Sequence, residues 1–404
     1  MLTSTYPWGP GEEFITPELP HWVRDNVHLT IMPWRTTDLL RPVPDGITVD
    51  DRLDRIRRRS WRGALARAPF TPLMWREAAA SIRAGVAAPH ALWRIAVPAA
   101  AASLTSRALR SFAREHGRID LAYSYWFDYA TLGALRSRHV VDAVASRAHR
   151  HDNFDYASPD GRLPFRRHMA PRLDLLAPIS DVGLAYARER FGVPESRSHT
   201  YRLGVPATDD ISPVPPADGP VRLLSVSSLT PVKRVDRLIE TLEVLATGGL
   251  DIEWSHAGSG PLAEELRRQA EALPRNVRVT WLGQLGHEQL TAVLAEPWNL
   301  IVNVSSSEGV PVSLMEAMGR GIPVAATAVG GTAELIVPPD GVLLPPNAMT
   351  SEWAAKIRSA IPRTRDPEWR AGFRNDVRER WNEDSNQAAF VSAMVALASR
   401  SADD

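Results

Sequence analysis

The 404-residue chain contains no cysteine, which excludes disulfides and thiolate metal ligands. Its 47 basic and 47 acidic residues cancel, so no overall field favours nucleic acid as a partner. No apolar run reaches the roughly 18 residues of a membrane-spanning helix. The amino terminus also lacks a basic segment followed by an apolar core. We therefore expect two or three domains in a soluble, cytoplasmic protein, with peripheral contact on the inner face of the membrane as an open alternative.

Apolar, β-branched runs alternate with helical stretches through the second half of the chain. Strict alternation with short connections is typical of a doubly wound parallel sheet, so this half predicts a Rossmann-like α/β domain. The predicted strands there are 222–228, 251–256, 277–282, 300–304 and 322–327, and the predicted helices are 235–245, 262–273, 288–294, 311–318 and 332–336. In the first half, strands are predicted at 2–6, 27–34, 120–127 and 140–149.

The domain boundaries follow from composition. Residues 206–220 are rich in Pro and Asp, which indicates a linker between two domains. We therefore assign 1–205 to one Rossmann-like domain and 221–365 to a second. The tail, 366–404, is predicted to be helical.

Two glutamates flank the loop and the helix that follow predicted strand 300–304. Glu308 lies in the polar loop at the carboxyl end of that strand, and Glu316 lies in a helix that we expect to begin near Pro311. The free N–H groups of the first helical turn favour an anion. This unit therefore combines a phosphate cradle with two carboxylates that can bind hydroxyls. A nucleotide sugar has matching parts: a diphosphate, a ribose diol and a sugar diol.

Residues 299–336 resemble the Glu, seven residues, Glu signature of retaining glycosyltransferase family 4. The likeness extends through Gly-Ile-Pro-Val (321–324) and Val-Gly-Gly-Thr-Ala-Glu (329–334). The resemblance implies an α/β GT-B fold, in which two Rossmann-like doubly wound parallel-sheet domains face a cleft. By this resemblance 1–205 is the acceptor-side domain and 221–365 is the nucleotide-sugar-binding domain. It implies that Glu308 contacts the donor sugar and Glu316 the ribose. It also suggests that the carboxyl-terminal helices cross back to the first domain.

Pro311 departs from the family pattern, because many relatives carry Gly at this position. Proline has no N–H to donate to a phosphate, so Val310, Val312 and Ser313 must supply those groups. No Asp-x-Asp pair or His cluster is placed for a metal, so we expect no metal and no cofactor other than the nucleoside diphosphate sugar itself.

Lys233 is one of only two lysines in the chain, which makes it conspicuous. It lies in the predicted strand-to-helix turn 228–236, where a cation suits the donor diphosphate. Relatives commonly carry an Arg where Ser228 stands, so Arg234 and Arg202 are candidates to replace it. A solvated lysine is the alternative interpretation.

Gly-Ser-Gly-Pro-Leu-Ala (258–263) meets the loose dinucleotide fingerprint. The acid expected at the end of the next strand is missing, so we interpret Gly258 as part of a tight turn that borders the nucleotide. Leu282 and Gly283 would lie near the base. The donor-binding candidates are Ser228, Lys233, Gly258, Leu282, Gly283, Glu308, Gly309, Val310, Val312, Ser313, Leu314 and Glu316.

Predicted strand 140–149 ends in the sequence Ser-Arg-Ala-His, which resembles a motif of family-4 enzymes of cell-surface polysaccharide synthesis. The resemblance implies that His149 lies beside the reacting sugar, as a catalytic group with Glu308 and Lys233. A neutral histidine bonded to backbone is the alternative. In this family a glycine-bearing loop after the first strand faces the cleft. The acceptor-side candidates are therefore Gly9, Gly11, Glu12 and Glu13, and which glutamate meets acceptor hydroxyls is left open.

Residues 51–110 carry 12 Arg against 3 acids, with Trp61, Trp75 and Trp93 interleaved. Trp and Arg together can indicate contact with an anionic membrane. Helices that pack Trp inward and expose Arg to solvent are the alternative, and the sequence favours it.

Together these patterns predict a retaining, hexosyltransferase-type glycosyltransferase. It would move a sugar from a nucleoside diphosphate sugar to a carbohydrate or other hydroxyl acceptor, in polysaccharide or glycoconjugate biosynthesis. One alternative is a nucleotide-sugar epimerase with the same donor site. Another is a non-catalytic sugar- or nucleotide-binding module on the same fold, which the missing Arg at Ser228 would favour.

Overall fold

Each half of the chain builds its own six-stranded parallel sheet in the computed structural model, which describes residues 1–9, 11–38, 40–86, 88–337 and 341–403. The first unit is Met1–Arg202 with Asp384–Asp404, and the second is Leu203–Glu383. The strands are β1 (Leu2–Thr3), β2 (Thr30–Pro33), β3 (Thr48–Val49), β4 (Ile119–Ser124), β5 (Val141–Ala148), β6 (Leu175–Pro178), β7 (Val221–Val226), β8 (Ile252–Ala257), β9 (Val277–Gly283), β10 (Leu300–Asn303), β11 (Val324–Thr327) and β12 (Val342–Leu344).

The strands alternate with helices for most of the chain, as a doubly wound topology requires. The helices are α1 (Arg52–Arg67), α2 (Pro72–Arg83), α3 (Ala88–His116), α4 (Tyr129–Leu135), α5 (Arg150–Asn153), α6 (Arg166–Met169), α7 (Asp181–Phe191), α8 (Val235–Thr247), α9 (Ala263–Glu271), α10 (His287–Leu294), α11 (Val312–Gly319), α12 (Thr332–Leu335), α13 (Thr350–Ala360), α14 (Pro367–Arg380) and α15 (Glu383–Asp403). No helix among the described residues is long and apolar enough to cross a membrane.

The second unit has strand order β12-β11-β10-β7-β8-β9, and all its neighbouring strands are parallel. One core cluster contains the buried Trp254 and Trp353, and another contains Met315, Trp369 and Trp381. Apolar clusters on both faces are what a parallel sheet covered by helices requires. Because the strands are parallel, the carboxyl ends of β7, β8, β10 and β11 lie at the same edge of the sheet, and the loops that follow them meet there.

The first unit has strand order β3-β2-β1-β4-β5-β6, and its neighbouring strands are also parallel. Helix α15 completes one face, because its Phe390 and Met394 are fully buried in a cluster with Tyr123. Helix α14 instead belongs to the second unit, where Phe373 packs with Met315. The chain thus returns to the first unit at Asp384, whereas the sequence predicted a return at residue 366.

The first strand covers only Leu2–Thr3, although the sequence predicted 2–6. The backbone N–H groups that would extend the ladder are used elsewhere. Those of Ser4, Thr5 and Tyr6 donate to the carboxylate of Glu12 at 2.8, 2.6 and 2.8 Å. A non-local side chain therefore ends the strand.

Three short strands, β3, β6 and β12, were not predicted. Runs of two to four residues give no detectable periodicity, and only the neighbouring strand supplies their hydrogen bonds. Pro311 caps α11 rather than forming its first residue, since the helix begins at Val312.

Candidate functional site

Glu308 is the centre of a hydrogen-bond network at the carboxyl edge of the second sheet. Its carboxylate follows β10 and its side chain is 10% exposed. One oxygen, Oε1, accepts hydrogen bonds from Lys233 Nζ (2.6 Å), Ser305 Oγ (2.6 Å) and Asn303 Nδ2 (3.1 Å). Within the described ranges the second oxygen, Oε2, receives none. The carboxylate is thus fixed through one oxygen and can bind a ligand through the other.

Lys233 reaches Glu308 from a different strand-to-helix turn. It ends the 3-10 helix Pro231–Lys233 that follows β7, and its side chain is 22% exposed. The structure thus brings together two residues that the sequence separates by 75 positions. An ammonium group has three donors, and the contact with Glu308 uses one of them. Lys233 can therefore still bind an anion.

Arg234 already uses three of its five N–H donors on backbone carbonyl oxygens, so it is less suited than a free arginine to replace the missing phosphate-site Arg. Its guanidinium donates to the carbonyl oxygens of Val304 (2.8 Å), Pro346 (2.8 Å) and Ser305 (3.0 Å). Its role is to hold the loop before Glu308. Arg202 forms an ion pair with Asp181 inside the first unit.

The N-terminus of α11 lies directly after Glu308. The N–H groups of Val312 and Ser313 open the helix and therefore have no intrahelical acceptor. Leu314 differs, because its N–H already donates to the Pro311 carbonyl oxygen at 3.1 Å and its side chain is 1% exposed in the core. Of these residues, Val312 and Ser313 are therefore the better placed to meet a phosphate, and Leu314 is a packing residue.

Two glycines allow the loops of this edge to touch. A Cβ at Gly258 would stand 1.8 Å from the Ser227 carbonyl oxygen, and one at Gly330 would stand 2.0 Å from the Glu308 carbonyl oxygen. Both positions also have positive φ. Any side chain would push these loops apart, so the glycines keep the backbone around Glu308 in place.

Glu316 lies further along α11, with a side chain that is 19% exposed and an oxygen 3.7 Å from His287 Nδ1. Burial raises the pKa of this carboxyl above its ordinary value, and His287 and Arg320 oppose the shift. Glu316 is therefore a partly desolvated acceptor with few partners of its own, as a residue that binds hydroxyls would be.

The remaining donor candidates lie at the end of β9 and on the loops after β7 and β10. Ser228 is exposed, and its hydroxyl is 3.3 Å from Thr230 Oγ1. Gly283 accepts a hydrogen bond from the Gly258 N–H at 2.8 Å, so the ends of β8 and β9 are joined there. Leu282 is partly buried beside them. Gly309 accepts from the Gly331 N–H at 2.6 Å, and Val310 is 7% exposed in the core.

His149 lies in the first unit, immediately after β5. Its ring packs against those of Trp126 and Tyr125, with centroids 4.6 and 4.9 Å away. Both ring nitrogens are buried and have no hydrogen-bond partner among the described residues. Asp152 holds the surrounding backbone, since it accepts from the His149 N–H at 2.6 Å and from the Phe127 N–H at 2.7 Å. The imidazole is thus rigidly placed, with Nδ1 3.8 Å from the Oδ2 of Asp152.

Glu12 organises the loop after β1 and has no lone pair left to accept a hydrogen bond from a sugar. Beyond its bonds to Ser4, Thr5 and Tyr6, its Oε1 accepts from Trp126 Nε1 at 2.6 Å. Glu12 itself is 8% exposed with a φ of 54°. Direct binding of acceptor hydroxyls by Glu12 is therefore ruled out in this arrangement.

Glu13, by contrast, is exposed and lies 3.8 Å from Arg41. Arg41 also donates to the carbonyl oxygens of Gly9 and Gly11, and the second distance is 2.9 Å. Of the two glutamates, only Glu13 keeps the exposed carboxylate that the acceptor-side prediction needs.

Sequence reasoning missed Asn303, Ser305 and Trp126. The first two lie close to Glu308 in the chain, and polar residues at the end of a buried strand were a usable signal. Trp126 offered no such signal, because its contact with Glu12 spans 114 positions.

Among the described residues, no group of three or more His, Asp or Glu side chains is arranged to hold a metal ion.

Comparison with known sequences gives two similarities. Residues 208–380 match the family described as Glycosyl transferases group 1. WcaL of Escherichia coli, a candidate colanic acid biosynthesis glycosyltransferase, is 29% identical over 278 residues, which cover 66% of this chain and 65% of WcaL. The chain thus spans less than two thirds of that relative's length.

Two solved structures match nearly the whole chain. The lipopolysaccharide outer core galactosyltransferase WaaB has a TM-score of 0.70 at 16% identity, over 98% of this chain and 99% of WaaB. HepE of Anabaena, solved in complex with UDP, has a TM-score of 0.65 at 16% identity, over 98% and 99% of the two chains. The predicted GT-B fold, with two Rossmann-like parallel sheets, is therefore confirmed. Residues 208–380, which carry Lys233, Glu308 and Glu316, are therefore similar to the Glycosyl transferases group 1 family.

Proposed function

We propose that this protein is a retaining glycosyltransferase that moves a sugar from a nucleoside diphosphate sugar to a hydroxyl acceptor. The observation that carries the proposal is the Lys233–Glu308 contact of 2.6 Å beside the open N-terminus of α11. A cation and free N–H groups suit the diphosphate, and the unused oxygen of Glu308 suits a sugar hydroxyl. The Glu, seven residues, Glu spacing supports retention of configuration.

In this mechanism the donor binds along the carboxyl edge of the second sheet. Glu316 accepts hydrogen bonds from the ribose diol, and Glu308 orients the donor sugar. Lys233 and the N–H groups of Val312 and Ser313 stabilise the negative charge that develops on the departing diphosphate. The family resemblance supports a role for His149 beside the reacting sugar.

We also propose that no metal is required, because a cation and helix N–H groups already balance the leaving group. Full transfer activity in excess EDTA is the expected result. Loss of activity in EDTA that returns with a divalent cation would contradict metal independence and leave the donor site intact.

We propose a role in cell-surface polysaccharide biosynthesis, with a carbohydrate or another hydroxyl compound as the acceptor. The support is the similarity to WcaL, which is named for colanic acid biosynthesis. The Arg-rich surface of the first unit supports a cytoplasmic protein at the inner face of the membrane, because anionic lipids give that leaflet a negative potential.

A thermal-shift panel with UDP, GDP, ADP, CMP and NAD tests the donor site. A ligand at 100 times its dissociation constant stabilises the folded state by about 2.7 kcal/mol, which is readily measured. One nucleoside diphosphate should stand out. No shift, or a shift with NAD alone, would contradict the assignment of Lys233, Glu308 and Glu316.

NMR with sugars carrying the matching nucleoside diphosphate then tests the reaction. The product should keep the anomeric configuration of the donor. Conversion of one nucleotide sugar into another without an acceptor would instead indicate an epimerase. Binding with neither transfer nor hydrolysis would indicate a non-catalytic module.

A further inference from the structure

Helix α2 exposes an apolar stripe on the first unit. Trp75, Ala79 and Ile82 have helical spacing on one side, while Met74 and Ala78 are buried on the other. Trp75 is 54% exposed and Ile82 is 52% exposed. In the turn before the helix, Phe70 is 83% exposed. Large apolar side chains that cluster on an exposed face commonly mark an interaction site.

The same face is strongly basic. Arg76 and Arg83, both exposed, lie one residue after Trp75 and Ile82. Between residues 52 and 86 there are nine Arg and only two acids, Asp54 and Glu77. Both acids are buried in ion pairs with Arg side chains, so the exposed charged side chains of this segment are all positive. We refer to Phe70, Trp75, Arg76, Ile82 and Arg83 as the outer α2 surface.

Ion pairs fasten this helical region to the segment between α5 and α6, which follows β5 and His149 in the chain. Glu77 of α2 pairs with Arg162, and Arg94 of α3 pairs with Asp160 at 2.8 Å. Arg94 also donates to Ser158 Oγ at 2.6 Å. Helices α2 and α3 are thus held against the part of the first unit that connects β5 to β6.

We propose that the outer α2 surface docks this protein on an anionic lipid bilayer. Aromatic and aliphatic side chains flanked by Arg, with no exposed acid between them, match the interfacial region of such a membrane. The ion pairs to the segment between α5 and α6 would hold that part of the first unit near the lipid surface. The docking proposal does not depend on the proposed function. The idea that docking brings the enzyme to a membrane-anchored acceptor does rest on that function.

Sedimentation of the full chain with vesicles tests the proposal. Vesicles of phosphatidylcholine with about 30% phosphatidylglycerol should bind the protein, pure phosphatidylcholine should bind it weakly, and binding should fall as salt shortens the Debye length. Each Arg near such a surface contributes a factor of roughly five, so Arg76→Ala with Arg83→Ala should weaken binding by roughly 25-fold. Phe70→Ala with Trp75→Ala should weaken it by at least roughly tenfold.

Matched variants on the second unit serve as controls. Arg267→Ala with Arg268→Ala removes two exposed arginines of α9, and Met349→Ala removes a side chain that is 74% exposed. These variants should bind vesicles like the unmodified chain. All variants should keep the melting temperature of the unmodified chain and the shift of that temperature by the nucleotide. A lower melting temperature would reveal unfolding, and a missing nucleotide shift would reveal a defective donor site.

Three results would overturn the proposal. The first is an unmodified chain that does not bind anionic vesicles. The second is an equal loss of binding in the α9 control and in the Arg76, Arg83 variant. The third is light scattering that shows a dimer which the Phe70, Trp75 variant converts into a monomer, because the surface would then be an interface between two copies of the chain.

Discussion

Replacing Glu308 by glutamine should tighten the binding of the nucleoside diphosphate product while it stops sugar transfer. Lys233 Nζ is 2.6 Å from Glu308 Oε1, so the carboxylate competes with a bound diphosphate for the ammonium. A charge-assisted hydrogen bond is worth about 1.5–3 kcal/mol. We use the lower value because solvent screens the partly exposed lysine. Glu308→Gln keeps the shape of the side chain but releases this attraction, so the dissociation constant should fall by about tenfold.

Titration calorimetry with the nucleoside diphosphate identified by thermal shift measures this change. Transfer, followed separately with the sugar donor, should fall by at least roughly 100-fold, because the glutamine lacks the negative charge beside the donor sugar. Glu264→Gln, an exposed change in α9, is the control and should alter neither quantity. Weaker nucleotide binding by Glu308→Gln would refute the reasoning, since it would mean that the carboxylate supports the diphosphate rather than competing with it.

Further variants test the ribose contact and the stability of both units. Glu316→Gln should raise the dissociation constant of the nucleotide by about 10- to 100-fold in the same calorimetry, because the ribose hydroxyls lose a charged hydrogen-bond acceptor. Unchanged binding would contradict the assignment of Glu316 to the ribose. Arg147→Met leaves the fully buried Glu18 without its partner and should cost about 3–5 kcal/mol in urea unfolding, whereas adding Glu18→Gln should recover part of the loss. Burial lowers the pKa of His256 from 6.5 to about 4, so the unfolded chain takes up the proton first and stability falls as the pH drops from about 6.5 towards 4. His256→Gln should reduce that loss by on the order of 3 kcal/mol, and a loss equal to that of the unmodified chain would contradict this origin.

The sequence predicted the second sheet and the main residues of its edge. Strands β7 to β11 have four to seven residues and alternate regularly with helices, and this alternation is visible without any tertiary information. Lys233 and Glu308 each lie in a loop directly after a strand. Because parallel strands end at one edge, their proximity follows from topology alone.

Features that depend on contacts between distant residues were not predictable. Glu12 was proposed for the acceptor, but its lone pairs go to backbone N–H groups and to Trp126. Arg234 was proposed for the phosphate, but its guanidinium binds three carbonyl oxygens, the most distant 112 positions away. Sequence shows which side chains can bond to a ligand, but only the fold shows which of them are already used. The roles assigned to His149, Glu308 and Lys233 stay predictions until the variants are measured.

The place of α15 in the first unit sets an order of folding during synthesis. Residues 203–383 leave the ribosome before the helix that covers Tyr123 and seals that face of the first sheet. Gln387 of the same helix also accepts from Arg147 at 3.2 Å, so this buried charge gains that partner only after the second unit has been synthesised. The first unit therefore stays open while the second folds, and a chain stopped before Asp384 would release an apolar sheet face prone to aggregation. Of the two units, the first begins to form earlier and is completed later.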